Sequence, residues 1–196
     1  MGTKSKMKRI LGALLSLAII GLLSACSVIP QPAVPLLDDS GEQAKAQMRL
    51  IEGAIKNHDA DALKALFSPF AREHATDLDG GLDYFLSTFD SGLITWGNAG
   101  IGSTSETEGF KETTVLFCNF TLVADSKKYE LYFAYYPVNE IVDPHNVGIY
   151  ALGVAPYEEL KYTASGDPKP FYQWARQFKL KDHVSLGHPG VYVPSS

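Results

Sequence analysis

The aromatic side chains of three strand-like segments have the types and spacing of a binding surface. Tyr132, Tyr135 and Tyr136 lie in the segment KYELYFAYYPV, and Trp96 and Tyr150 lie in neighbouring segments. Successive side chains of a strand point to opposite faces, so the predicted sheet carries aromatic residues on both faces. Large apolar side chains usually pack in a core. Because tyrosine and tryptophan also suit half-wet recognition sites, one face is a candidate surface for a ligand or a partner.

Three aspartates have the position needed for acid–base chemistry. Asp79, Asp83 and Asp90 lie along one flank of the apolar stripe of a predicted helix. An acid that is buried in an apolar pocket has a raised pKa, which suits it to proton transfer. Charged side chains are rarely buried without a partner, so the plainer interpretation is a solvated helix edge.

The histidines and the glycine-rich segments do not indicate a metal ion or a cofactor. None of the histidines stands at metal-ligand spacing with another histidine or a cysteine; they are His58, His74, His145, His183 and His188. The segment GNAGIG precedes no strong helix, so it does not fit a phosphate-binding loop. We expect no metal site and no cofactor.

The surroundings of the two cysteines predict different fates. Cys118 lies in the apolar run TVLFCNFTLV, where a free cysteine is commonly buried, so we expect a core thiol. Cys26 follows a leader with four basic residues and an uncharged run over residues 10–23. A transmembrane helix needs about 20 apolar residues, and this run is shorter. Residues 1–25 are therefore predicted to be a signal peptide.

The four residues Leu23-Ser24-Ala25-Cys26 resemble the lipobox of bacterial lipoproteins. The resemblance implies cleavage before Cys26 and a diacylglyceryl group on its sulfur, because a thiolate is the nucleophile that takes up the lipid. Two or more acyl chains hold a protein stably at a membrane. We therefore expect the protein at the extracytoplasmic face of the cell membrane, with the lipid on Cys26 as its membrane contact.

The mature chain is predicted to be a tether followed by a single domain. Residues 26–41 contain three closely spaced prolines, which favour an extended segment, and residues 42–196 form one α+β domain. Of the 17 basic residues four lie in the leader, so 13 face 22 acidic residues in the mature chain. Nucleic-acid binding needs a clustered basic face, so we expect no nucleic-acid partner.

Three helices and then several strands are predicted along this domain. Apolar residues at helical spacing begin near residue 42, and Asp59 is a good N-cap for a second helix. Ser68-Pro69 looks like a fresh cap and first turn, which gives a bend rather than one long helix, and a third helix covers residues 77–90. KETTVLFCNFTLVA and KYELYFAYYPV form a predicted hairpin, whereas FYQWARQF fits a helix or a strand equally. This order predicts an α+β fold with the helices on one face of an antiparallel sheet.

The segment IKNHDADALKALFSPFA resembles the opening of nuclear-transport-factor-2-like (cystatin-like) domains. DLDGGLDYF, HNVGIYALGV and PGVYVP are similar to pieces of Gram-positive lipoproteins that carry a domain of unknown function. The resemblance implies a cone in which three N-terminal helices and a curved antiparallel sheet enclose a pocket. It implies no activity, because related domains use that pocket for catalysis or for binding alone.

Three functions remain open on these observations. The first is a membrane-anchored, extracytoplasmic module that binds a small apolar or aromatic ligand or an envelope protein without catalysis. The second is a small-molecule isomerase, dehydratase or hydrolase, which requires a buried aspartate or histidine within reach of a tyrosine in the cone. The third is a structural envelope module, whose cone would be filled by its own side chains.

Overall fold

The computed structural model describes residues 40–89, 93–157, 169–177 and 187–194. The predicted signal peptide, the predicted lipid site Cys26 and the tether up to residue 39 lie outside these ranges, as do Asp90 and His183. Within the described ranges, no helix has the length and apolar character needed to cross a membrane.

The described chain has an α+β fold in which helices precede a sheet. The helices before the sheet are α1 (Ser40–Asn57), α2 (Ala60–Ala65), α3 (Pro69–His74) and α4 (Leu78–Ser87). The next elements are the strands β1 (Ile94–Glu108), β2 (Lys111–Ala124), β3 (Lys127–Asn139) and β4 (Gly148–Pro156). A short helix α5 (Pro170–Arg176) and a short strand β5 (Gly190–Val191) come last.

The predicted second helix is two helices, so four described helices precede the sheet rather than three. The Asp59 side chain accepts a hydrogen bond from Ala62 N at 2.8 Å and begins α2. The Ser68 hydroxyl accepts one from Ala71 N at 3.0 Å, and Pro69 follows it as the first residue of α3. Proline has no N–H with which to continue a preceding helix, so α2 ends before Ser68 and a separate helix, α3, begins at Pro69.

The sheet is mixed and open, which corrects the purely antiparallel prediction. Strands β1 to β4 are antiparallel neighbours in chain order, and β5 lies beside β4 in parallel. A parallel return is possible because a long connection separates β4 from β5. The predicted hairpin of β2 and β3 is confirmed. Its loop is a tight turn at Asp125 and Ser126, whose φ values of 49° and 63° suit the twist of a hairpin.

The inner face of the sheet packs against the N-terminal helices. Strands β2 and β3 contribute Leu116, Cys118, Phe120, Leu131, Phe133 and Tyr135 to this core. Helices α1, α2 and α4 contribute apolar residues, among them Ile51, Leu63 and Phe85. The rings of Phe120 and Phe133 are stacked, with centroids 5.9 Å apart. The inner face is therefore a packed hydrophobic layer, and the prediction of a buried Cys118 thiol is confirmed, since its exposure is 0%.

The outer face of the sheet carries a second buried cluster. Its buried members are Val115, Tyr132, Ala134, Tyr136, Tyr150, Ala151, Ala155 and Phe171. Phe171 belongs to α5, and Trp174 and Tyr192 pack against the same cluster. The C-terminal part of the described chain therefore covers the outer face of the sheet.

The junction between α2 and α3 is fixed to the start of β4 by backbone hydrogen bonds. Ile149 N donates to Leu66 O, and Ser68 N donates to Ile149 O, each at 2.9 Å. The buried Ser68 hydroxyl also donates to Asn146 Oδ1 at 2.7 Å. Gly148 has a φ of +129°, and a Cβ there would lie 2.7 Å from Ser68 N. Both the backbone conformation and this close approach require glycine at position 148.

We predict that Gly148→Ala lowers the free energy of unfolding by about 2–4 kcal/mol, because the added methyl group must displace the Ser68 backbone. Urea unfolding followed by circular dichroism measures this change. The matched control is Gly53→Ala in α1, where a Cβ would meet nothing within 4 Å. The control should gain up to about 1 kcal/mol from helix propensity. Equal urea concentrations at the midpoint of unfolding for Gly148→Ala and Gly53→Ala would contradict the assigned role of Gly148.

Candidate functional site

The sheet separates the five aromatic residues that were predicted as one pocket or binding surface. Tyr135 belongs to the inner core, and Trp96 packs at the edge of that core. Tyr132, Tyr136 and Tyr150 lie together in the outer cluster. The structure therefore brings three of the five residues together.

Trp96 links β1 to α1. Its indole Nε1 donates a hydrogen bond to Glu52 Oε2 at 2.8 Å, and its ring meets Phe120 edge-on with centroids 5.4 Å apart. Burial raises the pKa of Glu52, but hydrogen bonds from Lys56 and Trp96 outweigh burial and hold the pKa below its ordinary value. The Glu52 carboxylate is therefore an ionised structural partner of Trp96.

Tyr135 has an amide as its partner inside the core. Burial raises the pKa of the Tyr135 hydroxyl, and a hydrogen bond with the Gln47 side chain lowers it by a smaller amount. Gln47 is itself buried, and its Oε1 atom has no hydrogen-bond partner within the described part of the chain. An amide does not titrate in water, and the raised pKa keeps the Tyr135 hydroxyl protonated near neutral pH, so neither group of this buried pair is a general base.

The described aspartates and histidines lie at or near the surface. The Asp79 side chain is 74% exposed and pairs with Lys64 Nζ at 2.7 Å, and Asp83 is also exposed. His58, His74, His145 and His188 are exposed as well. The buried acid or histidine that the enzyme hypothesis requires is not found among the residues described. The same ranges contain no group of three or more His, Cys, Asp or Glu residues placed to hold a metal ion.

A β-bulge places Tyr150 on the outer face. Ile149 pairs with Tyr135 and Ala151 pairs with Ala134, so Tyr150 is an extra residue in β4. Its hydroxyl donates a hydrogen bond to Gly187 O at 2.9 Å. Its ring contacts those of Tyr136 and Phe70, with centroids 6.1 and 6.2 Å away. Tyr150 thereby joins the sheet to α3 and to residues 187–194, which we call the C-terminal segment.

Trp174 of α5 lies directly on β4. A Cβ on Gly153 would come within 2.7 Å of the Trp174 ring and within 2.8 Å of Tyr192 Cβ. The Trp174 ring also contacts Tyr132 and Tyr192, with centroids 5.8 and 5.2 Å away. The absence of a side chain at Gly153 therefore creates the space in which α5 and the C-terminal segment meet the sheet.

A groove of about 330 Å³ opens beside Trp174. It is lined by Ala75, Thr76, Asp77, Trp174, His188, Pro189, Gly190, Val191 and Val193. Its walls approach closely because Gly81 faces Val191, where a Cβ would lie 2.8 Å from the valine Cβ. Gly190, with a φ of +131°, likewise faces Ala75. We define this space as the C-terminal groove.

The C-terminal groove has one carboxylate in a mostly apolar lining. Asp77 is the N-cap of α4, and its Oδ1 accepts a hydrogen bond from Gly80 N at 3.0 Å. Sequence reasoning missed this site because residues 75–77 and 188–193 are far apart in the chain. The available signal was glycine in DLDGG and in PGVYVP, since glycine often marks a close approach of backbones.

Comparison with known proteins identifies the family. Residues 50–159 match the family model described as "Domain of unknown function (DUF5104)", which is more than half of the chain, so the chain belongs to this family. The predicted resemblance to a family with a domain of unknown function is thereby confirmed. The match ends after β4, so α5 and β5 lie beyond it. The chain matches no curated protein and no solved structure.

We predict that the protein loses stability as the pH rises above about 9. Burial raises the pKa values of the Cys118 thiol and of the Tyr132 and Tyr136 hydroxyls above their ordinary values of 9.0 and 10.0. The unfolded chain then binds fewer protons than the folded chain, so the free energy of unfolding is constant below these ordinary values and falls above them. Each fully protected group contributes up to about 1.4 kcal/mol per pH unit.

Urea unfolding between pH 7 and pH 11 measures the slope with which the free energy of unfolding falls as the pH rises. Tyr132→Phe should reduce the slope, because phenylalanine has no proton to lose. Tyr157→Phe, which changes an exposed tyrosine, should leave it unaltered. A free energy of unfolding that stays constant up to pH 11 would contradict the burial of these groups.

Proposed function

We propose that this member of the DUF5104 family is an extracytoplasmic lipoprotein that is anchored in the cell membrane through Cys26 and binds a ligand or a partner without catalysis. The lipobox-like residues 23–26 support the anchor. The observation that carries the binding function is the C-terminal groove, where Trp174 and Asp77 line one open space. An apolar wall with few polar groups is the usual composition of a ligand site.

The nuclear-transport-factor-2-like cone is part of this proposal. Helices that precede an antiparallel meander, and that pack against its inner face, support such an arrangement. In related cones the pocket lies inside, but here Leu116, Phe120 and Phe133 fill the inner face together with the helices. We therefore assign binding to the C-terminal groove, where Ala75 and Val191 of the inner layer meet Trp174 of the outer layer.

A structural envelope module is the second candidate, and the packed inner face favours it. Such a module needs no open groove, whereas a binding module does. The two candidates therefore differ in one testable respect: a binding module should bind small molecules in the C-terminal groove, which Trp174 and Val193 line, and a structural module should not. The enzyme hypothesis has no corresponding support, since the described aspartates and histidines are not buried.

We predict that Cys26→Ser abolishes lipid attachment. Serine has no thiolate to take up the diacylglyceryl group, so the variant should not incorporate labelled palmitate and should leave the membrane fraction. Cys118→Ser is the matched control, because it removes the buried thiol and keeps the anchor. Labelling, fractionation and intact mass in the native host measure these outcomes. Labelled Cys26→Ser protein, or full-length wild-type protein in the cytosol, would refute the anchor.

We predict that small molecules stabilise the protein through the C-terminal groove. A thermal-shift screen of chemically diverse metabolites should yield compounds that raise the Tm of the wild type but not of Val193→Trp, in which indole fills the groove. Val142→Trp is the matched control, because Val142 is 61% exposed and does not line the groove. A screen without any stabilising compound favours the structural module. Compounds that stabilise all three proteins equally bind elsewhere and contradict the assignment to the groove.

A further inference from the structure

We infer that the ligand of the C-terminal groove is a small organic ammonium compound with an apolar body. This inference rests on the proposed binding function and specifies the chemistry of its ligand. Its basis is the pairing of a carboxylate with an indole ring in one apolar space. Asp77 and Trp174 both line the groove, and Val191, Val193 and Pro189 supply aliphatic surface.

The carboxylate of Asp77 has an oxygen available for a ligand. Oδ1 accepts the hydrogen bond from Gly80 N, and Oδ2 lies beside Gly80, which has no side chain to cover it. Asp77 is exposed, so its carboxyl group is accessible from water. An ammonium group that enters the groove can therefore donate to Oδ2 without displacing the helix cap. A charge-assisted hydrogen bond of this kind is stronger than a neutral one.

Trp174 adds a second interaction that favours a cation. The electron-rich face of an indole attracts an ammonium group, and tryptophan does so better than tyrosine or phenylalanine. Trp174 is half-buried, and Gly153 and Tyr192 hold its ring in place. A fixed ring loses little freedom when a ligand binds, which favours affinity.

The same features disfavour an anion. The N-terminus of α4 would attract a negative group through its free N–H groups, but Asp77 already occupies that position with its own negative charge. No lysine or arginine lines the groove as the structure describes it. The mature chain has an excess of acidic over basic residues, so its overall field attracts cations.

The apolar lining decides which ammonium compound fits. A bare inorganic cation would leave the valine and proline surfaces in water, because it has no apolar part to cover them. A compound with a primary ammonium group and a small aromatic or branched aliphatic body can satisfy the carboxylate and cover those surfaces at once. The volume of about 330 Å³ is that of a site for a small molecule.

The test uses three probes of similar shape and different charge. Phenethylamine is the cation, 2-phenylethanol is the neutral probe, and 3-phenylpropionate is the anion. They are titrated against the lipid-anchored full chain in phosphatidylcholine vesicles, with Trp96→Phe as the background so that fluorescence reports Trp174 alone. Vesicles without protein, titrated in parallel, correct for partition of the probes into lipid.

We expect phenethylamine to bind at least about tenfold more tightly than the neutral probe, and the anion to show no saturable binding. A tenfold ratio corresponds to about 1.4 kcal/mol, which is close to the lower end of the range for a hydrogen bond to a charged group. Asp77→Asn should remove most of that advantage while keeping the cap, because asparagine caps helices as well as aspartate. Asp83→Asn removes the same charge from the same helix outside the groove and should change the ratio less than twofold.

Equal affinity of the cation and the neutral probe would overturn the ammonium inference and leave the proposed binding function standing. A preference for the anion would overturn it in the same way. Failure of all three probes, together with no stabilising compound in the thermal-shift screen, would overturn both. The ranking of the three probes needs no substitution in the groove, so it tests the inference even if Asp77→Asn does not fold.

Discussion

The Trp174 ring lies directly on the backbone of β4 because Gly153 has no side chain, and the outer half of the molecule depends on that contact. A Cβ at position 153 would lie 2.7 Å from the ring, which no packed structure tolerates without a shift. Phe171 and Tyr192 pack around the same indole, with Trp174–Phe171 centroids 5.8 Å apart. Glycine at position 153 therefore allows α5, β5 and the wall of the C-terminal groove to lie where they do.

The strand β4 serves both layers of the fold. Its inward residues Ile149, Leu152 and Val154 complete the core beneath the helices. Its bulge turns Tyr150 outward, where the hydroxyl bonds to the C-terminal segment. Each large side chain that is fully buried contributes about 1.5–3 kcal/mol, so the inner layer is the main source of stability. The outer layer is smaller, and the C-terminal groove lies where it meets residues Ala75 and Val191 of the inner layer.

Features that depend on neighbouring residues could be predicted from the sequence. The hairpin of β2 and β3 follows from two β-rich runs with a polar turn between them, and the buried Cys118 follows from its apolar surroundings. The cap at Ser68 and the turn at Pro69 could also be predicted, but not that a separate helix follows them. A serine and a proline permit either a bend or a new helix, and the bonds from Ser68 to Ile149 and Asn146 select the new helix.

The candidate site was not predicted from the sequence, because none of the five predicted aromatic residues lines the C-terminal groove. Tyr135 and Tyr136 are consecutive in a strand, so the strand period already places them on opposite faces, and one pocket cannot contain both. The bulge at Tyr150 depends on how β4 pairs with β3, and the sequence of one strand alone does not predict that pairing. The C-terminal groove joins segments distant in the chain, and its only local signs are the glycines that permit close approach. The family match supplies a domain and no activity, so the proposed function rests on the groove and on the lipobox-like residues 23–26.

Acrylamide quenching of Trp174 fluorescence, in a chain that carries Trp96→Phe, tests most directly whether the indole is seated on Gly153. The contact predicts weak quenching and blue-shifted emission in that chain, and strong quenching with red-shifted emission once Gly153→Ala is added. The same addition at Gly102, where a Cβ would meet nothing within 4 Å, should leave the emission unchanged. Trp174 emission that is quenched like that of free tryptophan before Gly153 is altered would contradict the account.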